Sequence, residues 1–458
     1  MRALAAPPVF ASLCLGLGLF LSVQPRRALA AGFAIPEQSA AGTGLAAALV
    51  ARPDDASAIF YNPAGLGYQN GISALANLSL VAVTQSMSVY GQADPPGGSV
   101  YDAQPGLFPL PALYLALRLH DRVSLGFGAF ASHGLTIDWQ NPDDPRPFPG
   151  RYKVLRIGLT SFTLNPTLAI RALPWLSLGF GLDLVPASAE LSRALLFAQD
   201  EPDGHIALQG SAFGVGANFG VLARLLDGRL NFGFSYRSAV NLHFGQMEAS
   251  LTPPPGVAFS TSPFTRAQTD IGIPHTIAVG AAGKPASWLT LSLDLIATLW
   301  GDTQNLTLQL SSEDGTQTQT SVIPRDWKHT YSVRLGAEVD FLRAFPSHLK
   351  RLWPKLRLGV GWDQTPVPTD TIDPSLPDSD RVLLSAGLSL GLRGLGSIDI
   401  GYLEALLPPR DSTNPDLPPL TYHSGVHVFS LSLSLQTERR LSNRRPEYAG
   451  RLLERTGP

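Results

Sequence analysis

In Leu176-Ser-Leu178-Gly-Phe180-Gly-Leu182-Asp-Leu184 every second residue is apolar, and the residues between are Gly, Ser or Asp. A strand sends successive side chains to opposite faces, so this run has one greasy face and one small or polar face. The same period recurs at Phe213/Val215/Ala217/Phe219/Val221, Leu289/Leu291/Leu293/Leu295, Tyr331/Val333/Leu335/Ala337/Val339/Phe341, Leu356/Leu358/Val360/Trp362, Val382/Leu384/Ala386/Leu388/Leu390/Leu392 and Phe429/Leu431/Leu433/Leu435. Positions between them carry Arg224, Arg237, Asp294, Arg334, Glu338, Arg357, Asp363 and Asp399, charges that a dry sandwich core would not accommodate. Alternation alone still leaves a soluble sandwich or propeller open, because its polar face meets bulk water.

Connection lengths separate these folds. About 14 candidate strands follow Gly71, and the links between them alternate between short and long, as in outer-membrane barrels with short periplasmic turns and longer outer loops. The one exception is the connection from Leu342 to Pro354, which is long for a periplasmic turn. Short links fall at His120-Asp121, Ala172 to Pro174, Leu226 to Arg229, Gly283 to Pro285 and Gly394 to Gly396. Long ones fall at Gly91 to Gly106, Trp139 to Gly150, Ser192 to Gly210, Gln246 to Thr269, Gly301 to Pro324, Gln364 to Asp380 and Leu407 to Tyr422. Aromatics near strand ends (Tyr114, Trp139, Tyr152, Trp175, Trp288, Trp300, Trp327, Trp353, Tyr402) fit interfacial girdles, or equally ordinary strand-edge packing.

The first 30 residues read as an export signal: Arg2, an apolar run from about Val9 to Val23, and Ala28-Leu29-Ala30 before a new start near Ala31. The single cysteine, Cys14, lies in that leader, so the mature chain is expected to hold no disulfide, thiol nucleophile or cysteine metal ligand. The formal charge of −2 includes Arg2, Arg26 and Arg27; without them it is about −5, which argues against a nucleic-acid partner. Only 15% of residues are charged while Gly (44) and Pro (39) are abundant, a balance that suits many strands joined by turns.

Residues 31–70 lack alternation. Asp54 or Asp55 can cap a short helical turn through Ile59, and Asn62 before Pro63 favours another turn. A block of this size ahead of a barrel suits a plug in the lumen. Its residues Gly32-Phe33-Ala-Ile-Pro-Glu37-Gln38-Ser39 through Gly44, then Asp54-Asp55-Ala-Ser57 and Tyr61-Asn62-Pro63-Ala64-Gly65-Leu66, resemble the opening of the FadL family of outer-membrane transporters for long-chain fatty acids and aromatic hydrocarbons. The likeness continues through Trp139 with Gly150-Arg151-Tyr152, Asn165-Pro166, Tyr236-Arg237-Ser238, Arg325-Asp326-Trp327, and Asp363 to Pro368 with Leu376-Pro377-Asp378, in the family's order.

That resemblance implies an all-β transmembrane antiparallel barrel with an N-terminal hatch: signal peptide 1–30, hatch 31–70, barrel 71–437 and periplasmic tail 438–458. It implies a monomer in the outer membrane of a Gram-negative bacterium, in contact with lipid and lipopolysaccharide. A hydrophobic small molecule, a fatty acid or hydrocarbon, would enter by a groove between outer loops, rest above the hatch and leave sideways through a kink in the third strand. The third strand is about Arg122 to Asp138, so the kink is expected among Gly126, Gly128, Ser132, His133 and Gly134. Ser132-His133-Gly134 departs from the family's Pro-Phe-Gly, and the glycines would equally serve to make room in a crowded barrel. Phe33, Asn62, Pro63 and Ala64 are expected to build or gate the hatch.

Leu195-Leu196-Phe197 and Val257-Ala258-Phe259 are apolar clusters in the third and fourth long loops that fit the groove or loop self-packing. Arg224, Arg237, Arg334 and Arg357 are equal candidates to meet a ligand carboxylate. No catalytic residue, metal set or cofactor is expected: there is no nucleophile elbow or His-Glu-x-x-His, and His423/His427 lack nearby carboxylates. The rival readings are an outer-membrane enzyme acting on lipids, a structural or adhesive barrel, and an open hydrophilic pore.

Overall fold

The computed structural model describes residues 33–90, 99–141, 144, 146–196, 202–254, 256, 264–344, 352–392 and 396–437. Residues 1–32 and 438–458, on which the expected leader and tail fall, lie outside them. Fourteen antiparallel strands close into a barrel, the last (Leu420–Thr437) pairing along the first (Ile72–Val89) from Ile72↔Thr437 to Val89↔Leu420. The alternation places its greasy positions outside: Phe180, Leu182, Leu293, Leu295, Leu358, Leu384, Leu388 and Leu431 are all exposed on the wall that meets lipid.

Several strands are built in two pieces. The third comprises Val123–Phe130 and Gly134–Asp138, and the fourth Arg156–Ser161 and Thr163–Leu173. The seventh comprises Leu230–Arg237 and Val240–Thr252, the eighth Arg266–Ile273 and Thr276–Ala286. The ninth and tenth continue upward as the hairpin Asn305–Ser311 with Thr318–Pro324, inside a stretch expected to be loop. The fifth strand likewise runs on to Leu195 and the sixth starts at Gly204, so the third long loop is shorter than expected. The turn expected at Gly283 to Pro285 instead falls after Ala286, behind a bulge in the ladder.

Residues 33–70 fill the lumen. Ser39 caps the short helix Ala40–Gly44 by accepting from the Gly42 amide, and Asn62 caps the turn Pro63–Tyr68 by accepting from Ala64. The helix Ala58–Tyr61 starts at Ser57 with no side-chain cap; Asp55 instead accepts from the Ser57 amide at 2.8 Å. Wall glycines lie where this block seats: a Cβ on Gly179 would overlap the Pro63-Ala64 peptide, one on Gly233 the Val50 carbonyl, and one on Gly359 the Leu45-Ala46 peptide. The small residues on the inward face of the alternation thus make space for a hatch rather than for water.

The aromatic girdle is half of what the pattern implied. Trp175 and Trp288 are exposed at short turns and Trp353 is exposed at the start of the strand Leu352–Asp363, whereas Tyr114, Trp139, Trp300 and Trp327 are buried inside. Tyr114 is mid-strand in Gly106–His120, Trp300 opens a short helical turn and Trp327 lies between strands, so nearness to a strand end does not fix which way a ring points.

Candidate ligand cavity and wall break

The hatch is tied to the wall by charge and by backbone. Asp294 accepts from the Val50 amide at 2.8 Å, and Arg334 donates to the Ala46 carbonyl at 3.0 Å while making a two-pronged contact with Asp363 at 2.9 and 2.8 Å. Arg52 meets Glu338 at 2.5 Å, and Arg357 bridges Glu338 (2.8 Å) and Asp399 (2.6 Å). Arg237 meets Asp183 at 2.5 Å and Arg224 meets Asp54 at 3.5 Å. All four arginines considered for a ligand carboxylate therefore already hold carboxylates, and they serve the hatch and its surroundings. The buried Asn62 amide donates to Val50 (2.8 Å) and to Val221 on the sixth strand (3.1 Å), with Pro63 and Ala64 packed behind it against Gly220 and Gly179.

Above the hatch lies a cavity of about 380 Å³ walled by Leu135, Ile157, Leu159, Leu191, Leu208, Val240, Met247, Ile273, Leu306 and Leu308. Phe33 forms its floor, edge-on to Trp300 at 4.8 Å between centroids and tilted against Trp327 at 6.1 Å. The volume is in the range of about 300–1,000 Å³ usual for small-molecule pockets, and the lining is predominantly apolar. Arg325 also lines it, a residue the sequence reading placed only as a landmark. Its guanidinium is held by Asp373 and Ser375, each at 3.1 Å.

Beside the floor the third strand breaks at Ala131-Ser132-His133. Its pairing with the fourth strand continues on both sides, Phe130↔Thr163 below and Gly134↔Thr160 above. Its pairing with the second strand (Gly106–His120) stops at Ala112↔Phe130, so Gly134–Asp138 has no ladder partner along Gly106–Pro111 until the Gln104 amide reaches the Asp138 carbonyl at 2.7 Å. The wall therefore parts between the second and third strands. Pro109 and Pro111, which have no N–H, lie in the stretch facing the gap. Gly126 and Gly128 do not form the kink: both sit in regular ladders, and a Cβ on either would press on Ile59 of the hatch, with Leu66 also crowding Gly126. Ser132, His133 and Gly134 are at the break.

The hatch's first residues lie across that break. The Gly134 amide donates to Phe33, the Ile35 amide to Ser132, both at 2.8 Å, and Ala34 bridges His133. Gln38 supplies the missing donor to the Ala131 carbonyl at 2.6 Å. His133 packs edge-on to Phe33 at 5.9 Å, with its Nδ1 3.0 Å from the Ser132 hydroxyl.

Of the two apolar loop clusters, Leu195 is half-buried and Leu196 is 62% exposed; Phe197, Val257, Ala258 and Phe259 lie outside the described residues. The chain after Leu196 is clasped where it returns, Arg151 and the Tyr152 hydroxyl meeting Asp203 at 2.6 and 2.7 Å. Partial burial works against the Asp203 charge, but these two bonds hold its carboxyl below the ordinary range.

Comparison with known proteins places this arrangement. The family model described as outer membrane protein transport protein (OMPP1/FadL/TodX) matches residues 21–408. The chain is similar to the long-chain fatty acid transport protein of Escherichia coli O6:H1, 25% identical over 419 residues that cover 84% of this chain and 89% of that one. It is similar to outer membrane protein P1 of Haemophilus influenzae, 24% identical with 81% and 85% covered. Among solved structures, a Pseudomonas aeruginosa FadL homologue aligns with TM-score 0.71 at 22% identity, covering 89% of this chain and all of the other. The Pseudomonas putida toluene transporter TodX aligns with TM-score 0.70 at 17% identity, covering 88% and 99%. At those identities the two structures speak for the fold.

Proposed function

The chain belongs to the outer membrane protein transport family (OMPP1/FadL/TodX), whose members carry fatty acids and aromatic hydrocarbons across the outer membrane, and from that premise we propose a route through this one. A hydrophobic molecule enters from the outer loops, rests in the cavity above Phe33, and leaves through the gap between the second and third strands into the bilayer. Transport is passive, by a monomer bordered by lipid and lipopolysaccharide, and no bond of the ligand is made or broken.

One observation carries the reading: Phe33 to Ile35 form both the cavity floor and the backbone seal of the wall break. A ligand that displaces Phe33 would loosen the seal in the same movement. Leader removal near Ala31 would leave the new amino terminus two residues before Phe33, on a segment short enough to shift while the Arg334 and Asp294 ties keep the rest of the hatch in place. Sideways exit also suits the cargo, since each CH₂ taken from water gains about 0.8 kcal/mol, a gain that an aqueous channel would forfeit. Burying charge in the wall of the cavity tests the route. Leu135→Glu with Leu208→Glu, in cells that depend on this protein for hydrocarbon uptake, should abolish uptake while the barrel remains folded by heat-modifiable migration. Unchanged uptake would overturn it.

A further inference from the structure

The charges around the cavity distinguish among the hydrophobic molecules that this reading allows. The lining includes Glu190, Asp270, Asp302 and one cation, Arg325. The charge of Arg325 is already matched: Nη1 donates to Asp373 and Nη2 to Ser375, and its side chain is buried beside that carboxylate. Glu190 is met by Arg156 at 3.1 Å, and the same guanidinium meets Asp138 at 2.6 Å. Asp270 has His243 at 2.8 Å, and both are exposed. Asp302 is exposed at the ninth-strand end of the lining.

The carboxylates also sit where a ligand would pass. Asp270 and Gly272 face outward on the eighth strand, yet they line the cavity together with Thr303 and Asn305. The ladder between the eighth and ninth strands lapses there, between Thr269↔Leu308 and Thr276↔Thr298. The cavity therefore reaches the surface past Asp270 and Asp302. An ionised carboxylate entering here would meet like charge at the rim. Inside, it would have to give up its water where the one cation among the described lining residues is already paired with Asp373 and the one buried unpartnered donor is the Trp327 indole N–H, too little to replace a carboxylate's hydration. An uncharged molecule meets neither penalty and keeps the apolar contacts.

We infer that the cavity takes uncharged hydrophobic molecules, hydrocarbons or neutral acyl esters, and discriminates against ionised fatty acids. The inference rests on the cavity being the ligand site of the transport route above, so the test must separate the two.

Methyl 11-bromoundecanoate and 11-bromoundecanoate share a chain and differ in charge, and bromine quenches a nearby indole. The quenching specific to Trp327 is obtained by subtracting that of the Trp327→Phe variant, with purified full-length protein in detergent. At pH 8 the ester should bind at least tenfold more tightly than the acid. The difference should shrink as pH falls through the ligand's carboxyl pKa, about 4–5. Equal or tighter binding of the acid at pH 8 would overturn the inference and leave the cavity as the site. So would an Arg325→Met variant that loses acid binding tenfold and keeps the ester, because it would show the arginine exchanging Asp373 for the ligand. If neither compound quenches Trp327 in folded protein, the cavity is not the ligand site and both readings fall.

Discussion

Asn62 does at residue scale what the hatch needs as a whole: one buried amide reaches the hatch's own Val50, the barrel's Val221 and the turn that begins at Pro63. Asn62→Ala would leave two carbonyls without their donor, at about 1–3 kcal/mol each when burial persists. The hatch should then loosen before the barrel does. Planar-bilayer recordings should show flickering ion conductance in the variant, while ligand affinity measured by quenching changes less than threefold; a silent variant would argue that the Arg and Asp ties suffice. Arg334 is the stronger fastening. Arg334→Met would leave Asp363 buried and unpaired, a loss of about 3–5 kcal/mol, and should lower the temperature of the heat-modifiable transition more than Asn62→Ala does. Equal shifts would show that Asp363 is hydrated instead. Sequence could name these residues as inward and polar, but could not assign Arg334 to the hatch, because the Ala46 carbonyl it meets is 288 positions away.

Strands were the most legible elements, because parity is local: each run carries its own record of which face meets lipid, and the ladders observed from Leu176–Leu195 to Leu420–Thr437 follow it. The wall break was only partly legible. Gly126 and Gly128 invite a break because glycine weakens a ladder, yet both remain paired on either side and yield space to Ile59. What opens the wall is the loss of a partner, a property of two strands at once. The Phe108-Pro109-Leu110-Pro111 run on the second strand was the available signal, since two missing N–H groups mark an edge. Pro109→Val with Pro111→Val would restore those donors opposite Gly134–Asp138 and favour closure. Uptake of a labelled hydrocarbon should fall at least fivefold with cavity binding unchanged; undiminished uptake would move the exit elsewhere.

At the scale of the whole molecule the barrel and its stopper depend on each other unequally. The wall is closed by its own ladders, including the seam between first and last strands, and its greasy exterior is solvated by lipid whether or not the lumen is filled. The hatch has no such independence: its core residues Leu45, Ile59 and Leu66 are buried against the wall, its Arg52 is matched by Glu338, and its Val50 amide and Ala46 carbonyl are met by Asp294 and Arg334. Deleting residues 33–70 behind an intact leader should therefore leave a barrel that still inserts and migrates as folded, but whose lumen exposes the inward glycines together with Arg334, Asp363, Arg357 and Asp399. Such a lumen is wide and polar, and water and ions would fill it. Reconstituted in liposomes, the full-length protein should pass almost no current, while the deletion should conduct steadily and admit small sugars in a swelling assay. It should also lose selective hydrocarbon uptake, because Phe33 and the seal it forms over Ser132 to Gly134 go with the hatch. A deletion variant that inserts, stays closed to ions and still takes up hydrocarbon would mean that the barrel collapses onto its own lumen, and that the exit works without the segment that lies across it.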